Sequence, residues 1–254
     1  MIIDFHIHNA QPDFANMAQA FKRGKTLGIS MMGNLGDVLA NGLFPTAEEV
    51  KVINDRSLAL DLEYHQQLFS FCFLNPANPT DFALSEIERC LVTEGKNFVG
   101  IKLEAGLNCR HQKLDPIMEQ AEKLGAIVVQ HSWYKASGKD GEESTPTDIA
   151  DLARRFPHVK IVCPHLAGIG KRGVLDLAPC KNVMIDTSGG QPVAGLVEYA
   201  VKKIGAERIL FGSDLYGAFG RDPACQLGRI LGADISEQAK ELITGLNAKR
   251  MLKI

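Results

Sequence analysis

The sequence holds no apolar run near the roughly 18 residues that a membrane-spanning helix requires, and its first residues lack the basic flank and cleavage site of a secretory leader. A cytoplasmic location is the expectation. The six cysteines (Cys72, Cys90, Cys109, Cys163, Cys180 and Cys225) are widely separated and form no C-x-x-C pair. Neither a zinc knuckle nor a disulfide framework is therefore indicated, and Cys72 and Cys163, inside apolar runs, read as plain buried thiols. Charge of one sign is also missing, since 28 Lys and Arg against 30 Asp and Glu leave a formal net charge of −2. That removes the electrostatic case for nucleic acid or an anionic membrane and leaves a small molecule as the expected partner. No linker, low-complexity stretch or internal repeat divides residues 1–254, which are expected to form one domain. With 45% hydrophobic residues the chain can bury a large core.

Eight short apolar runs bounded by turn residues read as strands: 2–8, 27–32, 68–74, 98–103, 126–131, 159–165, 182–187 and 208–213. Most are continuously apolar, as strands covered on both faces should be. Helical patterns lie between them at 46–67, 80–94, 115–124, 147–156 and 195–204, and a closing helix is expected over 236–252. Strand–helix alternation of this kind predicts a parallel sheet closed as a single (β/α)8 TIM barrel. The Gly-rich and polar loops 33–45 and 132–146 follow strand ends, where barrel enzymes place their chemistry.

The first strand, Ile2-Ile3-Asp4-Phe5-His6-Ile7-His8, ends in a His-x-His pair. Strand alternation turns His6 and His8 the same way, about 7 Å apart along the backbone, so two imidazoles can close on one ion. Three later runs also end in a metal-type residue: His131 after Ile127-Val128-Val129-Gln130, His165 after Ile161-Val162-Cys163-Pro164, and Asp214 after Ile209-Leu210-Phe211-Gly212-Ser213. On a barrel all five residues converge on one mouth. Alternation puts Asp214 on a face with Gly212 and Leu210, and His165 on a face with Cys163 and Ile161, so these partners are expected to fill the interior. Three neutral imidazoles and a carboxylate suit zinc, with water completing the site. One zinc per chain is favoured, although manganese, iron or cobalt could occupy such a site. Singly, each residue has another explanation: Asp214 could cap the next segment, and His165 could be a buried, hydrogen-bonded histidine.

Five stretches in this order resemble the amidohydrolase superfamily, in the branch that contains the metal-dependent amidohydrolases and the aminocarboxymuconate semialdehyde decarboxylase type. They are Ile3 to His8, Phe156 to Gly168, Val183 to Gly189, Arg208 to Asp214 and Leu246 to Leu252. The resemblance implies that His6, His8, His131 and Asp214 are metal ligands. It also implies that Asp214 takes a proton, and that His165 polarises the substrate or orients the water. A strand 4 lysine is carboxylated in two-metal members, which makes Lys102 a candidate bridge, although this branch usually holds one metal. Glu104 shares a face with Lys102 and could be a ligand, a proton-transfer carboxylate, a partner for a substrate cation, or simply the ion-pair partner of Lys102.

Around the mouth, Asp186 and Ser188 share a face and could bond His165, the substrate or a helix end. Trp133, Tyr134, Tyr216, Phe219 and Arg221 could form the rim, with Arg221 either holding a substrate carboxylate or solvated, and Lys171 and Arg172 equally open. The favoured function is hydrolysis of an amide, lactone or related carbonyl bond in a small polar molecule. The first alternative is decarboxylation of an unsaturated or aromatic acid, which an Arg or Lys beside an aromatic wall would favour. A phosphoesterase or nuclease would want more cationic groups, and a catalytically silent metal- or metabolite-binding barrel would show decay at the ligand positions. Barrels of this branch commonly pair, so a homodimer is also possible.

Overall fold

The computed structural model describes residues 1–9, 14–38, 42, 44–135, 142–190, 193–216 and 219–254. Strands β1 (Ile2–His8), β2 (Ile29–Asn34), β3 (Leu68–Leu74), β4 (Phe98–Leu103), β5 (Ile127–Gln130), β6 (Lys160–Cys163), β7 (Val183–Asp186) and β8 (Ile209–Leu210) pair side by side in chain order, and every pair is parallel. A short β9 (Leu215–Tyr216) adds to the other edge of β1 in parallel, and β10 (Phe219–Gly220) turns back on it. The sheet curls until its ends meet: Phe5 N–H donates to Phe211 O at 2.8 Å and Asp214 N–H to His6 O at 2.8 Å. The expected parallel order is present in a curled sheet whose nine strands β9 and β1 to β8 run parallel, with β10 antiparallel at the edge. Among the described residues no helix is long and apolar enough to cross a membrane.

The helices are α1 (Phe14–Thr26), α2 (Ala47–Tyr64), α3 (Thr80–Glu88), α4 (Asp115–Leu124), α5 (Pro146–Arg155), α6 (Leu166–Leu177), α7 (Leu196–Ile204), α8 (Pro223–Leu231), α9 (Glu237–Glu241) and α10 (Asn247–Leu252). Local chemistry starts several of them. Thr46 caps α2 in a reciprocal pair with Glu49, and Thr145 does the same with Asp148 at α5. The strand expected at 27–32 begins two residues later, because Leu27 and Gly28 make the turn and Gly28 takes φ +76°. The closing helix expected over 236–252 runs without a gap from Glu237 to Leu252. Its middle, Leu242–Leu246, widens to a π-turn where Ile243 O accepts from Phe211 N–H at 2.9 Å. The two loops expected to carry chemistry lie partly outside the described residues, at 39–41, 43 and 136–141.

Two cores flank the sheet. The outer one packs the sheet against the helices, and the inner one lies within its curl, where Ile3, Phe5, Phe69, Phe71, Val129, Val162 and Leu210 meet Ala248 and Met251 of α10. Phe5, Phe69 and Phe71 touch ring to ring at 5.4–6.0 Å. Strict alternation would put Ile3, Phe5 and Ile7 together, yet Ile7 packs in the outer core. An extra residue in β1 between Asp4 and Ile7, visible as a register shift against β2, turns the strand over. His6 and His8 thereby stand above the aromatic floor.

The expected filling of strand 6 is corrected: Ile161 and Cys163 pack outward, and Val162 faces in. His165 reaches the mouth because β6 stops at Cys163, Pro164 follows, and His165 adopts φ +68°. Asp214 likewise leaves the strand pattern, at φ +64°. Gly212 is required by close approach, since a Cβ there would lie 2.8 Å from His6 Cβ and 3.2 Å from Asp186 Cγ. Gly212→Ala is expected to fold with a loss of about 1–3 kcal/mol in urea unfolding, and unchanged stability would contradict this packing.

Candidate metal centre

His6 and His8 are held by atoms that dictate which ring nitrogen carries the proton. His8 Nδ1 lies 2.9 Å from Gly36 O. A carbonyl only accepts, so Nδ1 is protonated and the neutral ring leaves Nε2 bare. His6 Nδ1 lies 2.8 Å from Asp186 Oδ2 and 3.0 Å from Ser188 Oγ. With that proton donated to the carboxylate, its Nε2 is also bare. The two Nε2 atoms face each other at 3.1 Å, and Asp214 Oδ1 stands 3.5 Å from one and 3.4 Å from the other. These three residues form a group whose ligand atoms all lie within 4.8 Å of one another.

Three lone pairs converging in a buried place repel unless a cation lies among them, and two imidazoles with a carboxylate are a donor set for a divalent ion. The residues therefore fit a metal. Without one, a proton can take the same place. Burial pulls the His6 imidazole down, but the charge and hydrogen bond of Asp186 outweigh it and raise it above its ordinary value. Burial holds His8 below its ordinary value, and His165 well below. Burial also opposes ionisation of Asp214, yet its closeness to His8 and the charge of the surrounding imidazoles keep its carboxyl well below the usual range.

Asp186 and Ser188 organise this corner. Ser188 Oγ donates to Asp186 and lies 3.0 Å from His165 Nδ1, and the His165 main-chain N–H lies 3.2 Å from Asp186 Oδ1. Their expected link to His165 is present, and the tie from Asp186 to His6 is additional. A Cβ at Gly189, which takes φ +70°, would lie 2.4 Å from His165 Nδ1, so that position must stay bare. Asp4 is fully buried beneath the site and accepts from Ser213 N–H at 2.9 Å and His6 N–H at 3.3 Å. Burial pushes its carboxyl up to about 7 against these bonds.

His131 stands beside the three-residue group rather than in it. Its ring is 5.2 Å from that of His165, its Nδ1 lies 3.5 Å from Glu104 Oε2, and its Nε2 lies 2.7 Å from Glu143 Oε1. Lys102, fully buried, pairs with Glu104 Oε1 at 2.6 Å. Burial opposes the charge on Glu104, but Lys102 and His131 outweigh it and hold the carboxyl down at about 2. The ion pair left open by the sequence is therefore formed. Glu143 went unnoticed in the sequence because nothing in Gly141-Glu142-Glu143-Ser144 marks one glutamate as inward-facing.

At the rim, Trp133 packs on His165 with ring centroids 4.9 Å apart, and Tyr216 lies 5.6 Å from the His8 ring while its hydroxyl donates to Asp37. Arg221 is not simply solvated. Its Nε donates to Asp214 Oδ2 at 2.8 Å and its Nη1 to Gly190 O at 2.8 Å. Tyr134 turns instead to Thr147 and Asp176, with Arg172 over its ring, and Lys171 lies over Tyr199. The side chain of Phe219 is outside the described residues.

The profile of the amidohydrolase family matches residues 3–254. No curated protein matches the sequence. Among solved structures, a 2,6-dihydroxybenzoate decarboxylase from Rhizobium is similar over 99% of this chain and 98% of its own, at 17% identity and a TM-score of 0.79. A dihydroxybenzoic acid decarboxylase from Polaromonas, with bound manganese and the inhibitor 2-nitroresorcinol, covers 99% and 96% at 17% identity and a TM-score of 0.75. A 4-oxalomesaconate hydratase from Rhodopseudomonas palustris covers 100% and 96% at 15% identity and a TM-score of 0.72. At these identities the likeness is one of fold.

If a metal displaces the proton at His6, its apparent affinity must rise with pH and level off only above the raised His6 value. Titrating the chain with manganese in weakly buffered solution should release protons. His6→Ala should fold yet retain no ion by elemental analysis, and a variant that keeps its metal would exclude His6 from the site.

Proposed function

The chain belongs to the amidohydrolase family, a family of enzymes, and from that premise we propose that it is a metal-dependent decarboxylase of a small aromatic or unsaturated carboxylic acid. The observation that carries this choice over hydrolysis is the rim. Arg221 sits on Asp214 and Gly190, and Asp214 Oδ2 lies 3.9 Å from the His165 ring on which Trp133 packs. A guanidinium beside a flat apolar surface suits an unsaturated ring bearing a carboxylate. The fold's likeness to decarboxylases supports the same reading.

In this reading His6, His8 and Asp214 hold one divalent ion, zinc or manganese, at the mouth of a (β/α)8 barrel. His131 joins them only if a nitrogen now facing Glu104 or Glu143 turns to the ion. The ion supplies positive charge that stabilises negative charge developing on substrate oxygens. Asp214 Oδ2 and His165 Nδ1, 3.9 Å apart, are the pair that moves the proton. Asp214, ionised, takes a proton from an acidic substrate group and returns it to the carbon that bears the carboxylate. The carbon–carbon bond then breaks, its electron pair restores the π system, and carbon dioxide leaves. Burial keeps His165 neutral, so it can accept or relay that proton. Arg221 holds Asp214 Oδ2 in place, and Lys102 with Glu104 provides a fixed ion pair at the inner wall.

Hydrolysis, the function favoured from the sequence, is the second reading, because the same group can take a proton from water attacking a carbonyl. Isotopes separate the two. Manganese- or zinc-loaded protein, offered hydroxylated benzoates and unsaturated acids in heavy water, should release carbon dioxide and place deuterium on the product carbon. Turnover of amides or lactones with incorporation of oxygen from labelled water, and no carbon dioxide from any acid, would replace decarboxylation by hydrolysis. With the active substrate, Asp214→Asn should lower kcat by about 10²–10⁴-fold. Arg221→Gln should chiefly raise KM.

A further inference from the structure

Three of the four histidines around this site are each tied by one ring nitrogen to an acceptor, and not by the same nitrogen. His6 and His8 use Nδ1, on Asp186 and Gly36, and turn Nε2 inward. His131 uses Nε2, 2.7 Å from Glu143 Oε1, and turns Nδ1 toward Glu104 Oε2 at 3.5 Å. Glu143 is 1% exposed although it lies in the limb that returns to α5. That limb is fastened to the outgoing one by Trp133 N–H to Ser144 O at 3.1 Å, and Lys135 Nζ lies 3.2 Å from the same Glu143 oxygen. A carboxylate withdrawn from water in this way is stabilised by the partners it meets there, the His131 ring and the Lys135 ammonium.

We propose that Glu143 is a positioning residue for His131: it accepts the Nε2 proton, fixes the neutral ring in the Nε2–H form, and presents the bare Nδ1 toward Glu104 and the rest of the site. The consequence for ion binding rests on the reading of this mouth as a divalent-metal site. An ion that reaches His131 then meets Nδ1, beside a Glu104 carboxylate already paired with Lys102, whereas His6 and His8 offer Nε2. An acceptor behind a ligand imidazole both orients the ring and increases its basicity.

The proposal is tested on the full chain, labelled with nitrogen-15 and stripped of metal, about two units above the ordinary imidazole value, near pH 8.5. Long-range proton–nitrogen spectra should show His131 protonated at Nε2 and bare at Nδ1. Glu143→Gln should keep that form, because the amide oxygen still accepts, and Glu143→Ala should lose it to a mixture of both. In chelator competition with manganese, Glu143→Ala should hold the ion about 10–100-fold less tightly and Glu143→Gln nearly as well as wild type. A wild-type ring protonated at Nδ1, or a proton position unchanged by Glu143→Ala, overturns the proposal. The wild-type spectrum decides even where Glu143→Ala does not fold. The expected proton position in a chain that binds no ion would overturn the metal-site reading and leave the anchoring by Glu143 standing.

Discussion

Two bare imidazole nitrogens 3.1 Å apart, with a carboxylate oxygen 3.4–3.5 Å from each, need a positive charge between them. Neither ring can relieve the repulsion by moving its proton, because Asp186 and Gly36 hold Nδ1 from behind. The neighbourhood is arranged around that need. Asp186 and Ser188 also fix His165, Arg221 fixes Asp214, and the buried Lys102 balances Glu104 on the inner wall. Buried polar groups are tolerated when each has a partner, and here the partners come from nearly every strand end.

The backbone departs from regularity where this cluster requires it. The extra residue in β1 lets the same strand send Phe5 into the aromatic floor and His6 and His8 into the site above it. His165 and Asp214 both take a left-handed conformation. Such residues carry about 1–3 kcal/mol of strain each, although histidine and aspartate tolerate the region better than most. A large apolar core on both faces of the sheet, together with the hydrogen bonds to Asp186 and His6 O, offsets that strain. Glycine is forced at 212 and 189 for the related reason that His6 and His165 occupy the space a side chain would need.

The chemistry of the mouth is a matter of what surrounds a common ion site. Hydrolysis and decarboxylation both use a divalent ion with a nearby carboxylate, so the ligand residues do not distinguish them. In the proposed reading Arg221 does, held on an Asp214 whose neighbour His165 packs against Trp133. From the sequence it was equally a solvated arginine, because nothing local ties a residue after a two-strand turn to an aspartate seven positions earlier.

The sequence by itself determined the strand–helix alternation and the placing of His6, His8, His131, His165 and Asp214 at strand ends, because hydrophobic periodicity and turn residues are local signals. It also determined the helix start at Thr46, whose capping partner lies three residues away, whereas the start at Thr145 lies two residues before the Thr147 expected from the pattern. Only the tertiary structure decided which ring nitrogen faces the site, because the deciding acceptors, Gly36, Asp186 and Glu143, come from segments 28, 180 and 12 residues away. It likewise decided that Ile161 and Cys163 face outward and that β9 and β10 extend the sheet. These depend on a register shift, on left-handed turns and on sheet closure, which are set by contacts between distant parts of the chain and leave no periodic trace in it.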